Sequence, residues 1–428
     1  MRKAKMKANE LKQLILTGGM EKHRELYSDL NGQSKRLCNA IDEFTSLFGG
    51  ERELYVFSVP GRSEIIGNHT DHNRGKVLAG AIDRDIIAVV AKNSDGVIRF
   101  HSEGYAPDEV SILDTHTADN FEKYTSAALI AGVVNGFEAR GYAVGGYDCY
   151  SNTEVLKGSG ISSSAAYEVM IGNILNHLYN GGRIDNKELA HIAQYAENKF
   201  FGKPCGLMDQ MACAVGGFVY IDFADANQPR VEPISFSIGE RGYSLSIVNT
   251  GGNHADLNED YASVPREMRA VAAALGKTVL REITEAELFE KITELRKTVG
   301  DRAILRAIHF LRENERVGAA ASALRDGDVN AFLSAVRESG RSSFEYLQNV
   351  YTNVNVGEQG LSLALALTDG FLGGEGALRV HGGGFAGTVQ VFLPTSRVGE
   401  YADYIGKVFG EGAAMTLDIR PVGATRLF

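Results

Sequence analysis

The sequence predicts an α+β protein with mixed sheets and a helix-rich later half. Short alternating or β-branched runs, bounded by glycine and proline, recur between residues 53 and 248 and return after residue 377. From about residue 265 to 348, apolar side chains recur instead at helical spacing. A polar, proline-containing stretch at 225–233 separates the two patterns. We therefore expect a helical extension over 1–50, one domain over 51–225 and a second over 226–428.

The individual elements follow from local patterns. Apolar residues at helical spacing predict helices within residues 1–48. The first strand should run over 53–60 and stop at Pro60-Gly61. Further strands are expected over 85–91, 96–101, 143–150, 217–222, 243–248 and within 377–428. Helices are expected over 167–178, over 187–200 and almost throughout 265–348, with Gly276, Gly300 and Gly327 as breaks.

Composition restricts the class of protein. A chain of 428 residues with 44% hydrophobic and 23% charged residues is typical of a globular protein with a large core. The net charge of −10 argues against nucleic acid or an anionic membrane as partner, and no apolar run predicts a signal peptide or a membrane span. Cys38, Cys149, Cys205 and Cys213 lack C-x-x-C spacing, which favours reduced thiols in a cytoplasmic protein. The oligomeric state, monomer or dimer, stays open.

A Gly/Ser-rich loop is the first candidate for chemistry. It consists of Gly158, Ser159, Gly160, Ile161, Ser162, Ser163 and Ser164, directly before an apolar run that should form a helix. Glycines let successive N–H groups face one point, and a helix N-terminus adds a positive dipole end, so the loop could bind a polyphosphate. The spacing differs from the P-loop G-x-x-x-x-G-K-[ST]. A helix cap without ligand is the alternative.

The second candidate is residues 60–75, which are dense in short polar side chains. Their donors and acceptors suit a polyol such as a sugar. His69, Asp71 and His72 are also common metal-ligand types, but their spacing lacks the one-face geometry of a helical pair. A polar turn between two strands is the third interpretation.

Two later segments add an acid and a glycine-rich turn. Asp209 lies among apolar neighbours at a predicted loop–helix junction and is either a cap or a working group. Residues 379–388 hold four glycines within six positions, so the backbone there approaches a ligand or another strand closely. Taken together, a phosphate loop, a polyol loop, a carboxylate and a glycine-rich turn indicate a small-molecule kinase.

These motifs, in this order, resemble the GHMP kinase superfamily and, within it, the galactokinase family. Residues 60–73 are similar to the signature P-G-R-x-x-x-I-G-E-H-T-D-Y-N, and the Gly/Ser loop to G-x-G-L-S-S-S-A. Residues 204–210 match P-C-G-I-M-D-Q with one conservative change, and 379–387 resemble R-x-x-G-G-G-F-G-G. The resemblance runs from about residue 52 to the end. It implies a GHMP-kinase-like two-domain fold with the active site in the cleft between the domains.

The resemblance also implies roles. The chain would be a sugar 1-kinase that uses ATP and Mg²⁺, with a sugar and ATP as its small-molecule partners. Asp209 would act at the anomeric hydroxyl as base or orienting group, with Arg62 beside it. Ser164 and Glu197 would be the Mg²⁺ ligands, and the loop 158–164 would hold the ATP phosphates. The implied sugar contacts are Asn68, His69, Asp71, His72, Tyr261 and Gly383.

Two departures from the signature bear on the sugar. Asn68 stands where the family has a Glu that accepts a hydrogen bond from a hydroxyl near C6, and His72 stands where it has Tyr. Asn68 can still accept a hydrogen bond but carries no charge, so a C6 carboxylate would be tolerated. Galactose is the first expectation, and galacturonate or another C6-modified sugar is the alternative. A galactose/ATP sensor without transferase activity is a third hypothesis, although the serine run, Arg62 and Asp209 are intact.

The first fifty residues are a longer lead than the family usually has. They could cover the sheet or contact a second subunit.

Overall fold

Two β-sheets organise the chain in this computed structural model, which describes residues 6–155, 160–203, 205–226, 228–252 and 257–428. The large sheet has eight strands within the described residues. They are β1 Tyr55–Ile66, β2 Lys76–Lys92, β3 Val97–Ser102, β4 Asp108–Ser111, β5 Tyr147–Thr153, β6 Phe218–Asp222, β7 Arg230–Ile234 and β12 Thr425–Arg426. The small sheet consists of β8 Tyr243–Asn249, β9 Ala377–His381, β10 Thr388–Pro394 and β11 Ala414–Leu417.

Helices cover these sheets and fill the later half of the chain. They are α1 Ala8–Leu14, α2 Leu30–Phe48, α3 Ser126–Glu138, α4 Ser163–Tyr179, α5 Asn186–Ala196, α6 Met208–Val215, α7 Asn258–Ala274, α8 Glu285–Glu290, α9 Ile292–Thr298, α10 Asp301–Asp326, α11 Val329–Ser342, α12 Gly360–Leu372 and α13 Val398–Phe409. The predicted α+β class with mixed sheets is therefore confirmed, and the helical stretch expected between 265 and 348 corresponds to α7–α11.

The large sheet is built around β2. Its order is β12-β1-β2-β5-β3-β4, and β6 pairs with both β2 and β7. β1 runs antiparallel along β2, whose first residues also pair with β6 and whose last residues pair with β5. β3 and β5 are parallel, which makes the sheet mixed. β7 and β12 lie beyond residue 225 in sequence yet pair within this sheet, and the division of the chain at 225 stays a prediction.

The prediction that the first strand stops at Pro60-Gly61 is wrong, because β1 continues to Ile66. The pairing register with β2 shifts between Pro60 and Arg62, so the proline lies at a bulge, where a missing N–H is tolerated. Gly61 is needed there, since a Cβ would lie 2.8 Å from the Ile161 carbonyl oxygen. The continuation carries Arg62 beside the Gly/Ser loop, where the Arg62 N–H donates to Ile161 O at 3.1 Å.

Both faces of the large sheet are buried. Alternate residues of β1 point to opposite sides: Phe57 joins the core under α3–α6, whereas Val56 joins a second core with α1 and α2. The N-terminal extension therefore covers the outer face of the sheet, which was one of its two expected roles.

A buried polar cluster fastens this extension to the sheet. Asp85 of β2 is fully buried and accepts hydrogen bonds from Tyr27 Oη at 2.6 Å and Arg36 Nη1 at 2.6 Å. Ser58 and Arg420 complete its shell. Because a buried carboxylate is stable only when paired and hydrogen-bonded, Tyr27 and Arg36 tie the extension to this position. No helix among the described residues is both long and apolar enough to cross a bilayer.

Candidate active site

An ion pair between β1 and α6 forms the centre of the site. Arg62 binds Asp209 through two parallel hydrogen bonds, Nε to Oδ1 at 2.7 Å and Nη2 to Oδ2 at 2.8 Å. Asp209 is the second residue of α6, where the helix dipole favours a carboxylate. Arg62 is nearly buried, while a third of the Asp209 side chain is exposed. The predicted pair is thus in contact, with the carboxylate accessible to a substrate.

The electrostatics keep Asp209 ionised. Burial is the largest influence on its pKa and raises it, but the charge of Arg62 and hydrogen bonds from Arg62 and Ser162 more than offset burial. The pKa of Asp209 is therefore lowered from its ordinary value. A carboxylate held in this way orients a hydroxyl well and is a weak proton acceptor in the ground state.

The end of the Gly/Ser loop meets this ion pair. The Gly160 carbonyl oxygen accepts from Arg62 Nη1 at 2.6 Å, and Ser162 Oγ donates to Asp209 Oδ2 at 2.5 Å. Ser162 is the N-cap residue of α4, which begins at Ser163, but it has φ +60° and its side chain makes no capping hydrogen bond. Gly158 and Ser159 lie outside the described residues. In the described part of the loop, the Ser162 hydroxyl binds Asp209 and not the helix backbone. This favours a ligand-binding loop over a helix cap without ligand.

The two residues expected to bind Mg²⁺ also come together. Ser164 Oγ in the first turn of α4 lies 3.5 Å from Glu197 Oε1, at the start of a π-helical turn, Glu197–Phe201. Gln210 Nε2 donates to Glu197 Oε2 at 2.7 Å and to Glu168 Oε2 at 3.2 Å. Oxygen donors of this kind suit a hard cation. No set of three His, Cys, Asp or Glu side chains arranged as a metal site occurs in the described part of the chain.

Sequence reasoning missed Glu168. It is fully buried, and its Oε1 has no hydrogen-bond partner among the described residues. Burial, followed by the charge of Glu197, raises the pKa of Glu168 well above its ordinary value. Its position one helical turn after Ser164 is the signal that could have found it, since residues four apart share a helix face.

The residues expected to contact sugar hold the glycine-rich turn. Three successive carbonyl oxygens of that turn accept from three of them: Gly382 O from Asn68 Nδ2 at 2.6 Å, Gly383 O from His69 Nε2 at 2.8 Å, and Gly384 O from Tyr261 Oη at 2.6 Å. Asn349, which the sequence did not single out, also donates to Gly383 O at 3.0 Å. The signature loop, α7 and the turn are thereby joined on one side of the Arg62–Asp209 pair.

Asn68 is more enclosed than expected. Its side chain is completely buried, and its Oδ1 accepts from Asn349 Nδ2 at 2.6 Å. Its Nδ2 also donates to Glu64 Oε1 at 2.9 Å, a second contact that the sequence did not suggest. A direct contact between Asn68 and a sugar therefore stays a prediction.

Asp71 and His72 occupy the same loop. Asp71 faces the segment before α6, because a Cβ on Gly206 would lie 2.5 Å from Asp71 Oδ2. Burial is the largest influence on the pKa of Asp71 and raises it. His72 Nε2 lies 3.3 Å from His69 Nδ1, and burial, followed by the charges of His69 and Arg269, lowers the pKa of His72 well below its ordinary value. His72 is thus neutral at physiological pH.

The chain matches the sequence patterns of two known protein families and a known relative. Residues 42–92 match the galactokinase galactose-binding signature, and residues 128–217 match the GHMP kinases N terminal domain. A galactokinase from Streptomyces coelicolor is 32% identical over 360 residues, which cover 83% of this chain and 89% of that protein.

Solved structures share the fold. A Lactococcus lactis galactokinase complexed with galactose superposes with a TM-score of 0.75 at 23% identity, covering 90% of this chain and 98% of that one. A Methanococcus jannaschii mevalonate kinase superposes with a TM-score of 0.59 at 14% identity, covering 85% and 98%.

The fold is that of a GHMP kinase. Within that superfamily, the extent of identity with the Streptomyces protein shows that the chain belongs to the galactokinase family.

Proposed function

We propose that this protein transfers the γ-phosphoryl group of ATP to the 1-hydroxyl of galactose, yielding galactose 1-phosphate and ADP. The observation that carries the proposal is the two-point ion pair between Arg62 and Asp209, which joins the signature strand to α6 beside the Gly/Ser loop. Family membership and the galactokinase relatives support galactose as the sugar. The alternative, galacturonate or another C6-modified sugar, is not favoured, and a neutral His72 offers no positive charge to a C6 carboxylate.

In this mechanism Asp209 accepts a hydrogen bond from the 1-hydroxyl and fixes its oxygen in line with the γ-phosphorus. As the new O–P bond forms and the bond to the β-phosphate oxygen breaks, the hydroxyl proton passes to the carboxylate. Because the pKa of Asp209 is lowered, this transfer comes late, when the attacking oxygen is already bonded to phosphorus. Arg62 holds Asp209 ionised and places positive charge next to the transferring group.

Mg²⁺ is the expected cofactor, and Ser164 and Glu197 would hold it. Their oxygens lie close together, and the glutamate is fixed by Gln210 from the helix that carries Asp209. The ion would neutralise phosphate charge when bound. We also propose that the enzyme is cytoplasmic, in line with its four cysteines, none of which forms a disulfide. It would act as a monomer or a dimer.

The test is a substrate panel with purified protein and MgATP, comparing galactose, galacturonate and glucose by ADP release. We expect kcat/KM to be highest for galactose. A higher kcat/KM for galacturonate would overturn the choice of sugar. Binding of galactose and ATP with no ADP release would instead support the sensor hypothesis.

A further inference from the structure

This chain lacks the glutamate that the galactokinase signature has at position 68, but a second glutamate, Glu64, lies next to that position. The signature has Glu at position 68, where this chain has Asn. The Asn68 amide donates to the carboxylate of Glu64 at 2.9 Å, four residues earlier on β1. A carboxylate is therefore present beside Asn68, one of the expected sugar contacts, even though position 68 itself is neutral.

The hydrogen bonds fix which way the Asn68 amide faces. Its Nδ2 meets two acceptors, Glu64 Oε1 and the Gly382 carbonyl oxygen, whereas its Oδ1 meets the donor Nδ2 of Asn349. Since an amide nitrogen carries two hydrogens, both acceptors are satisfied at once. A carboxylate at position 68 has no hydrogen to give, so it would face two acceptors that it cannot bind.

The same corner contains a buried cation. Arg379 is fully buried, and Glu64 is the carboxylate that lies within ion-pair distance of it in the described part of the chain, with Nη1 3.3 Å from Oε1. Its Nη1 also donates to Ile65 O at 3.0 Å. Removing one partner of a buried ion pair leaves an uncompensated charge, which is strongly destabilising. The cluster thus needs one carboxylate beside Arg379.

We propose that Glu64 and Asn68 act as one coupled pair. Glu64 supplies the carboxylate that pairs with Arg379, and the Asn68 amide that it orients holds the turn 382–384 in place. Glu64 is therefore a positioning residue for sugar binding in the proposed kinase, on whose function this inference rests. Glutamate at position 68 becomes compatible with the fold once position 64 has lost its charge.

Four proteins test the pair: wild type, Glu64→Gln, Asn68→Glu and the double variant. Glu64→Gln removes the partner of Arg379, and Asn68→Glu adds a second carboxylate, so each single change should raise the KM for galactose about tenfold or more, with the KM for ATP within about twofold. The double variant again has one carboxylate at positions 64 and 68, and the glutamine introduced at position 64 can donate to it. Its KM for galactose should be lower than that of Asn68→Glu, and it should stay above wild type because no amide at position 68 donates to Gly382 O.

Glu285→Gln is the matched control, because it removes the charge of a half-exposed glutamate that pairs with Arg312 away from this corner. It should leave the KM for galactose unchanged. A double variant whose loss equals the product of the two single losses would overturn the proposal.

The melting temperatures of the same four proteins separate this proposal from the proposed function. Recovery of the melting temperature in the double variant supports the coupled pair even in a protein that does not phosphorylate galactose. Additive losses of melting temperature overturn it even in an active galactokinase.

Discussion

At the scale of single residues, one part of the site is a set of side chains that bind backbone oxygens. Asn68, His69 and Tyr261 each donate to a different carbonyl of the turn 382–384, and they come from two separate parts of the chain. These bonds hold the turn against the signature loop and α7. A substrate bound between the turn and the Arg62–Asp209 pair would therefore meet a preorganised wall.

Tyr261→Phe tests this role of the tyrosine. The change removes the hydroxyl that donates to Gly384 O at 2.6 Å and keeps the ring that packs against Phe385. Gly384 O keeps its hydrogen bond from Ala386 N at 2.8 Å, so the change removes one hydrogen bond worth about 0.5–1.5 kcal/mol. We therefore expect the KM for galactose to rise about two- to tenfold, with a smaller change in kcat. Steady-state kinetics check this, and a KM equal to wild type would show that the bond does not position the turn.

The sequence singled out candidate residues of the site without their contacts. Arg62, Ser164 and Asp209 lie in short contiguous motifs, whereas Glu197 was implied only by the resemblance to the family. The sequence did not single out Asn349 and Glu64, because what marks them is their hydrogen bonds to the Asn68 side chain. Asn349 lies 281 positions away from Asn68 in the chain. Such a contact exists only after the helical region has folded against the signature loop.

At the scale of elements, two irregular segments position the chemistry. The bulge at Pro60 lets β1 run on to Arg62, and the π-helical turn after α5 places Glu197 beside Ser164. Local rules placed a strand end at Pro60-Gly61 because proline lacks an N–H. Pairing with β2 on both sides of the bulge overrides that preference, which a single strand's sequence cannot reveal.

Gly383→Ala tests how tightly the glycine-rich turn packs. A Cβ at this position would lie 2.4 Å from Tyr261 Cε1, so the ring must move and its bond to Gly384 O is lost. We expect a rise of about tenfold or more in the KM for galactose. Gly399→Ala in α13 is the control, since a Cβ there meets no heavy atom within 4 Å. Equal kinetics for both variants would contradict close packing of the turn.

At the scale of the whole molecule, the outer face of the large sheet depends on the N-terminal extension. Val56, Val89 and Phe428 are buried beneath α1 and α2, and Asp85 is neutralised partly from Arg36. This explains why β2 has apolar residues on both faces. In a sequence, the same pattern is typical of a parallel strand, which is also buried on both faces.

Buried histidines predict how folding stability depends on pH. Burial is the largest influence on His309 and His381, and it lowers their pKa to about 4 and about 3. In the unfolded chain both protonate near their ordinary pKa of about 6.5. As the pH falls from about 6.5 to 4, the unfolded state therefore binds protons that the folded state does not, and each histidine removes up to about 3 kcal/mol of stability.

His381→Gln tests this dependence. Glutamine can keep hydrogen bonds to Ser63 and Thr388 but does not titrate. We expect the free energy of unfolding in urea to fall less steeply between pH 6.5 and 4.5 in the variant than in wild type. Identical slopes would contradict a neutral, buried His381. The difference between the two proteins is the readout because other groups titrate in the same range.

The most direct test of the proposed role of Asp209 compares phosphoryl transfer by Asp209→Asn and by wild type. The variant keeps the size of the side chain and an oxygen for Arg62, so it should fold with an unchanged circular dichroism spectrum. With galactose and MgATP, ³¹P NMR should show wild type forming a sugar 1-phosphate and ADP in equal amounts, and the variant doing so about 10²–10⁴-fold more slowly. Wild-type turnover in the folded variant, or phosphate on a hydroxyl other than that at C1, would contradict the assignment of Asp209 as the residue that acts on the 1-hydroxyl.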